Sequence, residues 1–201
     1  MEAFGANVIT VESEGKGITP ELIQKMKEQA YILSEEKNSF YVDQFGSKNV
    51  LKGYLPMGNE IKRELEGIDV FCASVGTGGA IMGTWQGLDN TDIKLVAFEP
   101  LQSPFLSTGK GGPHKVEGIG VGFEPPFLDR NALNEIRCID QEDAFNMCRT
   151  LSKKEGLFCG GSTGMNVCGA LEIAKNLKKG GKIVTLACDN GLKLSLIHIS
   201  E

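Results

Sequence analysis

A continuous apolar run opens at Asp69, reaches Val75 and ends in Gly76, Thr77, Gly78 and Gly79. A run of that length bounded by glycines reads as a buried strand followed by a tight turn. Residues 80–88 then carry helical periodicity and residues 94–98 are apolar again. The local order is therefore strand, glycine turn, helix, strand, which predicts an α/β fold on a parallel sheet.

The rest of the chain continues this order with interruptions. Residues 7–11 alternate like a strand, a turn follows through Glu14, Gly15, Lys16 and Gly17, and Thr19 and Pro20 mark a helix start. Leu22, Ile23, Met26, Ala30 and Leu33 give that helix its apolar stripe. Residues 39–42 predict a short strand, and residues 54–65 a helix whose charges read as a solvated face. Residues 103–128 form a long loop containing Gly109, Gly111, Gly112, Gly118, Gly120 and Gly122. Loops of that length inside compact domains carry function or move. Helical spacing returns at residues 142–154, and a short apolar piece at 157–159 then runs into Gly160, Gly161, Ser162, Thr163 and Gly164. A helix to Leu177 and a strand at 182–187 complete the pattern. At the other end, residues 2–4 read as the close of a helix leading straight into a strand without a partner, so the chain is expected to be a piece of a larger protein.

Composition removes several function classes. The 201 residues are 41% hydrophobic and 23% charged with net charge -5, values of a globular and not a disordered chain. The acidic balance lacks the basic footprint of a nucleic-acid binder, and no apolar stretch approaches the roughly 18 residues of a membrane span. Nucleic acid and membrane are not expected as partners. The six cysteines contain no CxxC pair and lie mostly in apolar runs, which suits buried or reactive thiols in a reducing cytoplasm. His114 and His198 are the only histidines, and neither has a second His or Cys at zinc-ligand spacing, so no metal is expected.

Two glycine turns, 76–79 and 160–164, each lead into a helix and would aim free N–H groups from its N-terminus at one place. That arrangement binds anions, phosphate above all. Glycine alone also makes tight turns, but two such turns at the carboxyl edge of one parallel sheet favour a ligand. A dinucleotide fold remains an alternative: Glu99, after the next strand, imitates its ribose-binding acid, although Ile81 stands where the third glycine of G-x-G-x-x-G belongs. No Gly-Lys-Ser/Thr follows either turn, which excludes a P-loop.

Five ordered motifs carry a resemblance: Val75-Gly76-Thr77-Gly78-Gly79, Glu99-Pro100 with Ser103-Pro104, Glu117-Gly118-Ile119-Gly120-Val121-Gly122-Phe123, Gly161-Ser162-Thr163-Gly164, and Cys188-Asp189-Asn190-Gly191. Over residues 3–193 the chain resembles the cysteine synthase and cystathionine β-synthase family of pyridoxal-phosphate enzymes. The resemblance implies a three-layer parallel-sheet sandwich of the tryptophan-synthase-β kind (fold type II), incomplete at its N-terminus. It implies residues 1–45 as the remainder of a small domain and 46–193 as a large cofactor-binding domain. Gly76, Thr77, Gly78, Gly79 and Ala80 match the loop that holds the cofactor phosphate, with Ala80 where the family commonly has threonine. Ser162 matches the residue at the pyridine nitrogen, a serine that would equally serve as a helix cap. Gln44 matches a contact to the substrate carboxylate; its alternative reading is an exposed loop amide. His114 reads as a surface or hinge residue.

The departures count as much. The family attaches its cofactor through a lysine in a Ser-x-Lys segment and grips the substrate with a Ser/Thr-Gly-Asn loop; neither occurs here, and Ser152-Lys153-Lys154 sits in a predicted helix. The lysine is expected upstream of Met1, so this chain by itself contributes no catalytic residue and is expected to be inactive. Residues 194–201 break the family pattern and resemble a translated sequencing-library adapter, a non-native tail. For the parent protein the resemblance implies a cytoplasmic homodimer making L-cysteine from O-acetylserine and sulfide, with cystathionine synthesis and serine or threonine dehydration as alternatives. A non-catalytic, phosphate-binding remnant is the alternative of another class.

Overall fold

The computed structural model of the chain describes residues 2–12, 20–89 and 92–192. The predicted turn at 14–17, the Thr19 cap and the predicted tail at 194–201 lie outside the described residues. The chain divides into two compact units, residues 1–43 and 44–201.

The first unit contains a 3-10 turn at Glu2–Phe4 and helix α1 at Pro20–Ser34. The two strands predicted here do not form: residues 7–11 and 39–42 are irregular. Alternation makes a strand only when its N–H and C=O groups meet a neighbour, and among the described residues neither segment enters a ladder. Phe40 and Val42 remain 86% and 70% exposed.

Among the described residues the second unit is built on four parallel strands: β1 at Val70–Ser74, β2 at Lys94–Pro100, β3 at Glu135–Ile139 and β4 at Ile183–Thr185. Their order across the sheet is β3-β2-β1-β4. Val70 stands opposite Lys94 on one side and Ile183 on the other, and Val96 stands opposite Glu135. Strand β3 was not predicted; its charged Glu135 and Arg137 interrupt the apolar signal at what is the edge of this sheet. Strand β4 is shorter than the predicted 182–187.

Because successive residues of a strand face opposite ways, β1 feeds two cores. Val70 and Cys72 pack with Val96 and Phe98 under helices α5 (Gln141–Glu155) and α6 (Gly161–Ala174), through Ala144, Phe145, Met165 and Ile173. Phe71 and Ala73 pack with Leu95 and Ala97 under helix α3 (Gly79–Leu88), through Ile81, Met82 and Leu88. The result is the three-layer parallel sandwich that the motifs implied.

Helix α2, at Asn49–Glu64, starts five residues before its predicted boundary and is not merely a solvated face. Leu51, Met57 and Ile61 close the α3 core. Gly58, Gly83 and Gly87 let the two helices touch backbone to backbone; a Cβ on Gly83 would stand 2.6 Å from the Leu51 carbonyl oxygen. Small residues at a crossing permit this approach, and larger ones would force the helices apart.

Candidate functional site

The connection β1-α3-β2 covers one face of the sheet, whereas the chain between β3 and β4 runs through α5 and α6 on the other face and returns on the far side of β1. Connections therefore diverge between β1 and β4. At such a switch point the chain leaves a crevice outside the carboxyl ends of the strands, where α/β proteins bind ligands. Both glycine turns open there.

In the first turn Gly78 caps α3 with φ +85°, a conformation natural to glycine. Its neighbours are backbone: a Cβ there would meet Leu128 N at 2.7 Å, and one on Gly76 would collide with the Gly118 carbonyl oxygen. The turn's carbonyl side is anchored, since Gly120 N donates to Val75 O at 3.0 Å and Phe127 N to Thr77 O at 3.1 Å. Its N–H side is not: among the described residues the amides of Gly76, Thr77 and Gly78 donate to no carbonyl or side chain, while Gly79 N reaches Thr77 Oγ1 at a long 3.3 Å. Val50 of α2 closes over Gly79. Ala80 follows in the first turn of α3 and offers only a methyl.

The second turn differs from its reading as a strand-to-helix turn. Only a single bridge, Cys159 to Asn190, precedes it, and Gly161 to Gly164 already lie in α6. Gly160 is the N-cap, with no side chain capping it; Ser162 is therefore not the helix cap. Ser162 is 5% exposed. The backbone N–H of Cys188 donates to Thr163 Oγ1 at 3.0 Å, and Gly160 N donates to Asp189 O at 3.3 Å. One side of Cys188 faces solvent. Desolvation by the surrounding protein nevertheless raises its pKa, with the Asp189 carboxylate adding to the rise and the Ser162 and Asn166 side chains opposing it. Burial also raises the other five thiols, Cys72 and Cys168 to about 11 and Cys148 to about 12. Cys72, Cys148 and Cys159 are buried, Cys138 and Cys168 are half-buried and Cys188 is exposed.

A residue that the motifs did not single out joins the two turns. Asn166, one helical turn beyond Ser162, is 0% exposed. Its Oδ1 accepts from Ser74 N at 2.6 Å, and its Nδ2 donates to Leu186 O at 2.8 Å. The only signal available earlier was its place four residues after Ser162 in a predicted helix.

The loop at 103–128 spans both turns. Gly118 lies against Gly76, and Val116 packs near Gly161. His114 Nε2 lies 3.0 Å from Gly120 O, so it works inside the loop, and Arg130 holds the loop's base by donating to Leu106 O and to both carboxylate oxygens of Glu124 at 2.7 Å. Glu99 accepts from Leu106 N at 2.6 Å and Ser107 N at 2.9 Å, at the start of helix α4 (Phe105–Thr108). Its carboxylate is spent on the chain's own backbone, which removes the dinucleotide alternative. Gln44 is exposed in a turn; its neighbour Phe45 packs on Phe123 of the loop at 5.9 Å between ring centroids. Ser152, Lys153 and Lys154 lie exposed at the end of α5.

Comparison with known proteins agrees with this architecture. The family described as "Pyridoxal-phosphate dependent enzyme" matches residues 1–189. A cysteine synthase of Staphylococcus aureus (strain Mu50 / ATCC 700699) is 38% identical over 198 residues, covering 95% of this chain and 61% of the relative. The chain thus spans less than two thirds of the length of the curated relative it matches. Among solved structures, a cysteine synthase from Entamoeba histolytica superposes with TM-score 0.83 at 29% identity, over 96% of this chain and 57% of that one. An O-acetylserine dependent cystathionine β-synthase from Helicobacter pylori superposes with TM-score 0.81 at 35% identity, over 94% and 61%. With the family matched along nearly its whole length and the two glycine turns set at the switch point of the sheet, the chain belongs to the pyridoxal-phosphate dependent enzymes.

Proposed function

We propose that this chain carries the cofactor-holding part of a β-replacement enzyme that makes L-cysteine from O-acetylserine and sulfide. The observation that carries this reading is the convergence at the β1/β4 crevice: unpartnered amides of Gly76, Thr77 and Gly78 on one side, the buried Ser162 hydroxyl on the other. The residues present fit pyridoxal phosphate. Gly76 and Gly78 leave no space for a Cβ because backbone of residues 118 and 127–128 stands there, among the described residues the amides of residues 76–78 take no protein acceptor, and the N-terminus of α3 adds its positive end toward a phosphate. Ala80 supplies no hydroxyl there, so the phosphate rests on backbone donors and Thr77.

When bound, the cofactor supplies an electron sink for the charge left on Cα as its proton departs. Ser162 meets the ring nitrogen as a neutral partner. A hydroxyl does not hold that nitrogen protonated as a carboxylate would, which moderates the sink and suits elimination and replacement over transamination. Gln44 serves the substrate carboxylate, carried on a backbone that Phe45 fastens to Phe123. The proton-moving lysine belongs to a part of the parent protein outside these 201 residues, so the isolated chain binds without turning over. Residues 1–45 serve as the rest of a small domain and 46–193 as the large domain of a cytoplasmic homodimer. Cystathionine synthesis is the second reading, favoured by the likeness to the Helicobacter pylori enzyme; the two differ in the thiol accepted and use the same cofactor-binding residues.

Titration of the chain with pyridoxal phosphate and with pyridoxal tests the assignment. The phosphate form is expected to bind at least tenfold tighter, and S162A to retain that binding while shifting the absorption maximum of the bound ring. Equal affinity for the two compounds, or none for either, overturns it.

A further inference from the structure

We propose that Asn166 is a positioning residue whose carboxamide sets the width of the β1/β4 crevice, and with it the spacing between the Gly76 turn and Ser162; this rests on the cofactor reading above. The β1–β4 ladder has three residue pairs and stops at Cys72 and Thr185. Beyond it, Ser74 N and Leu186 O do not meet. The Asn166 side chain stands between them, accepting from Ser74 N at 2.6 Å and donating to Leu186 O at 2.8 Å. A carboxamide offers the same acceptor and donor as a peptide unit, so it replaces one rung of the ladder and holds the strands apart by its own breadth.

The consequences fall on the site because of where those two atoms lie. Ser74 is two residues before Gly76. Leu186 is two before Cys188, whose N–H donates to Thr163 Oγ1 next to Ser162. Asn166 Nδ2 also lies 3.6 Å from Cys188 Sγ. One fully buried side chain thus ties the phosphate turn, the first turn of α6 and the exit of β4. Its partners are specific to asparagine. Aspartate keeps the shape but turns an acceptor toward Leu186 O, and glutamine keeps the groups but moves them out by one methylene. An unsatisfied buried polar group is expensive, so neither change is absorbed quietly.

The test compares N166D and N166Q with the wild-type 201-residue chain by pyridoxal-phosphate affinity, the absorption maximum of the bound ring, backbone hydrogen exchange without ligand, and urea unfolding. At least tenfold weaker binding is expected, with a shifted maximum and faster exchange at residues 74–79 and 186–190, while exchange at 95–98 stays as in wild type. Wild-type affinity, spectrum and local exchange in either folded variant, with only the unfolding midpoint lowered, would mean a purely structural asparagine and overturn the proposal. If the wild-type chain binds no pyridoxal phosphate and exchange still quickens locally in the variants, the cofactor reading falls and the wedge stands. If exchange is unaltered as well, both fall.

Discussion

At Gly78 the backbone runs through φ +85° and faces other backbone, Leu128 N and Phe127 C, whereas at Gly160 φ is -79° and the nearest neighbour is the carboxylate of Asp189. The contrast continues along each turn. Gly76 abuts the Gly118 carbonyl, while Gly161 abuts the Phe145 ring and Gly164 abuts α5 at Ala144 and Cys148. In the first turn Gly78 meets a conformational need, Gly76 a close backbone approach, and the amides of residues 76–78 take no protein acceptor among the described residues. In the second it meets a packing need, letting α6 sink against α5. Two turns of like composition therefore answer to different physics, and substitutions should separate them.

The largest effect is expected from G164A. Its Cβ would strike the Ala144 carbonyl and stand 2.5 Å from Cys148 Sγ, so α5 and α6 must part. Overpacking against backbone costs about 3 kcal/mol, read as a lower urea midpoint; a loss under about 1 kcal/mol would break the distinction. G78A comes next, with about 2 kcal/mol of backbone strain. Its distinguishing mark is loss of pyridoxal-phosphate binding, at least tenfold, at temperatures where the fold is intact, because the methyl displaces Leu128. Retained binding in that variant would show that the first turn, too, is only structural.

R130A is the smallest, and it probes the loop's base and neither turn. Arg130 holds the Glu124 carboxyl below the usual carboxylate range by hydrogen bonding and by charge. A lowered folded pKa adds stability above the unfolded value of about 4.3, lost as pH falls through the folded value. The pair is half exposed, with side chains 41% and 55% accessible, so the contribution is at most about 1 kcal/mol. Unfolding at pH 7 should show this deficit in R130A, and unfolding near pH 3 should show a much smaller one.

The parallel sheet was readable because apolar runs and glycine turns alternate, and α3, α5 and the first turn stand close to their predicted limits, whereas residues 161–164 of the second already belong to α6. Strands at 7–11 and 39–42 were over-read because alternation signals a face and not a partner. β3 was missed for the converse reason: Glu135 and Arg137 blur an edge strand whose pairing with β2 is nonetheless complete. The glycines of the two turns and Ser162 were legible as motifs. Asn166 was not, since its roles depend on Ser74, 92 residues earlier, and Leu186, 20 later. The cover of the first turn by residues 118 and 127–128 was hidden likewise, as a contact between distant segments.

The pairing of β1 with β4 brings together Cys72 and Thr185, 113 residues apart, whereas β1 reaches β2 across a single helix. Closing so long a segment carries a large entropic cost before any contact repays it, so pairings of this kind form late as a chain folds. The crevice exists only once that closure is made. A ligand seated there strengthens contacts that are absent at the folding barrier, and it acts on lifetime: unfolding slows while the rate of folding is left nearly unchanged.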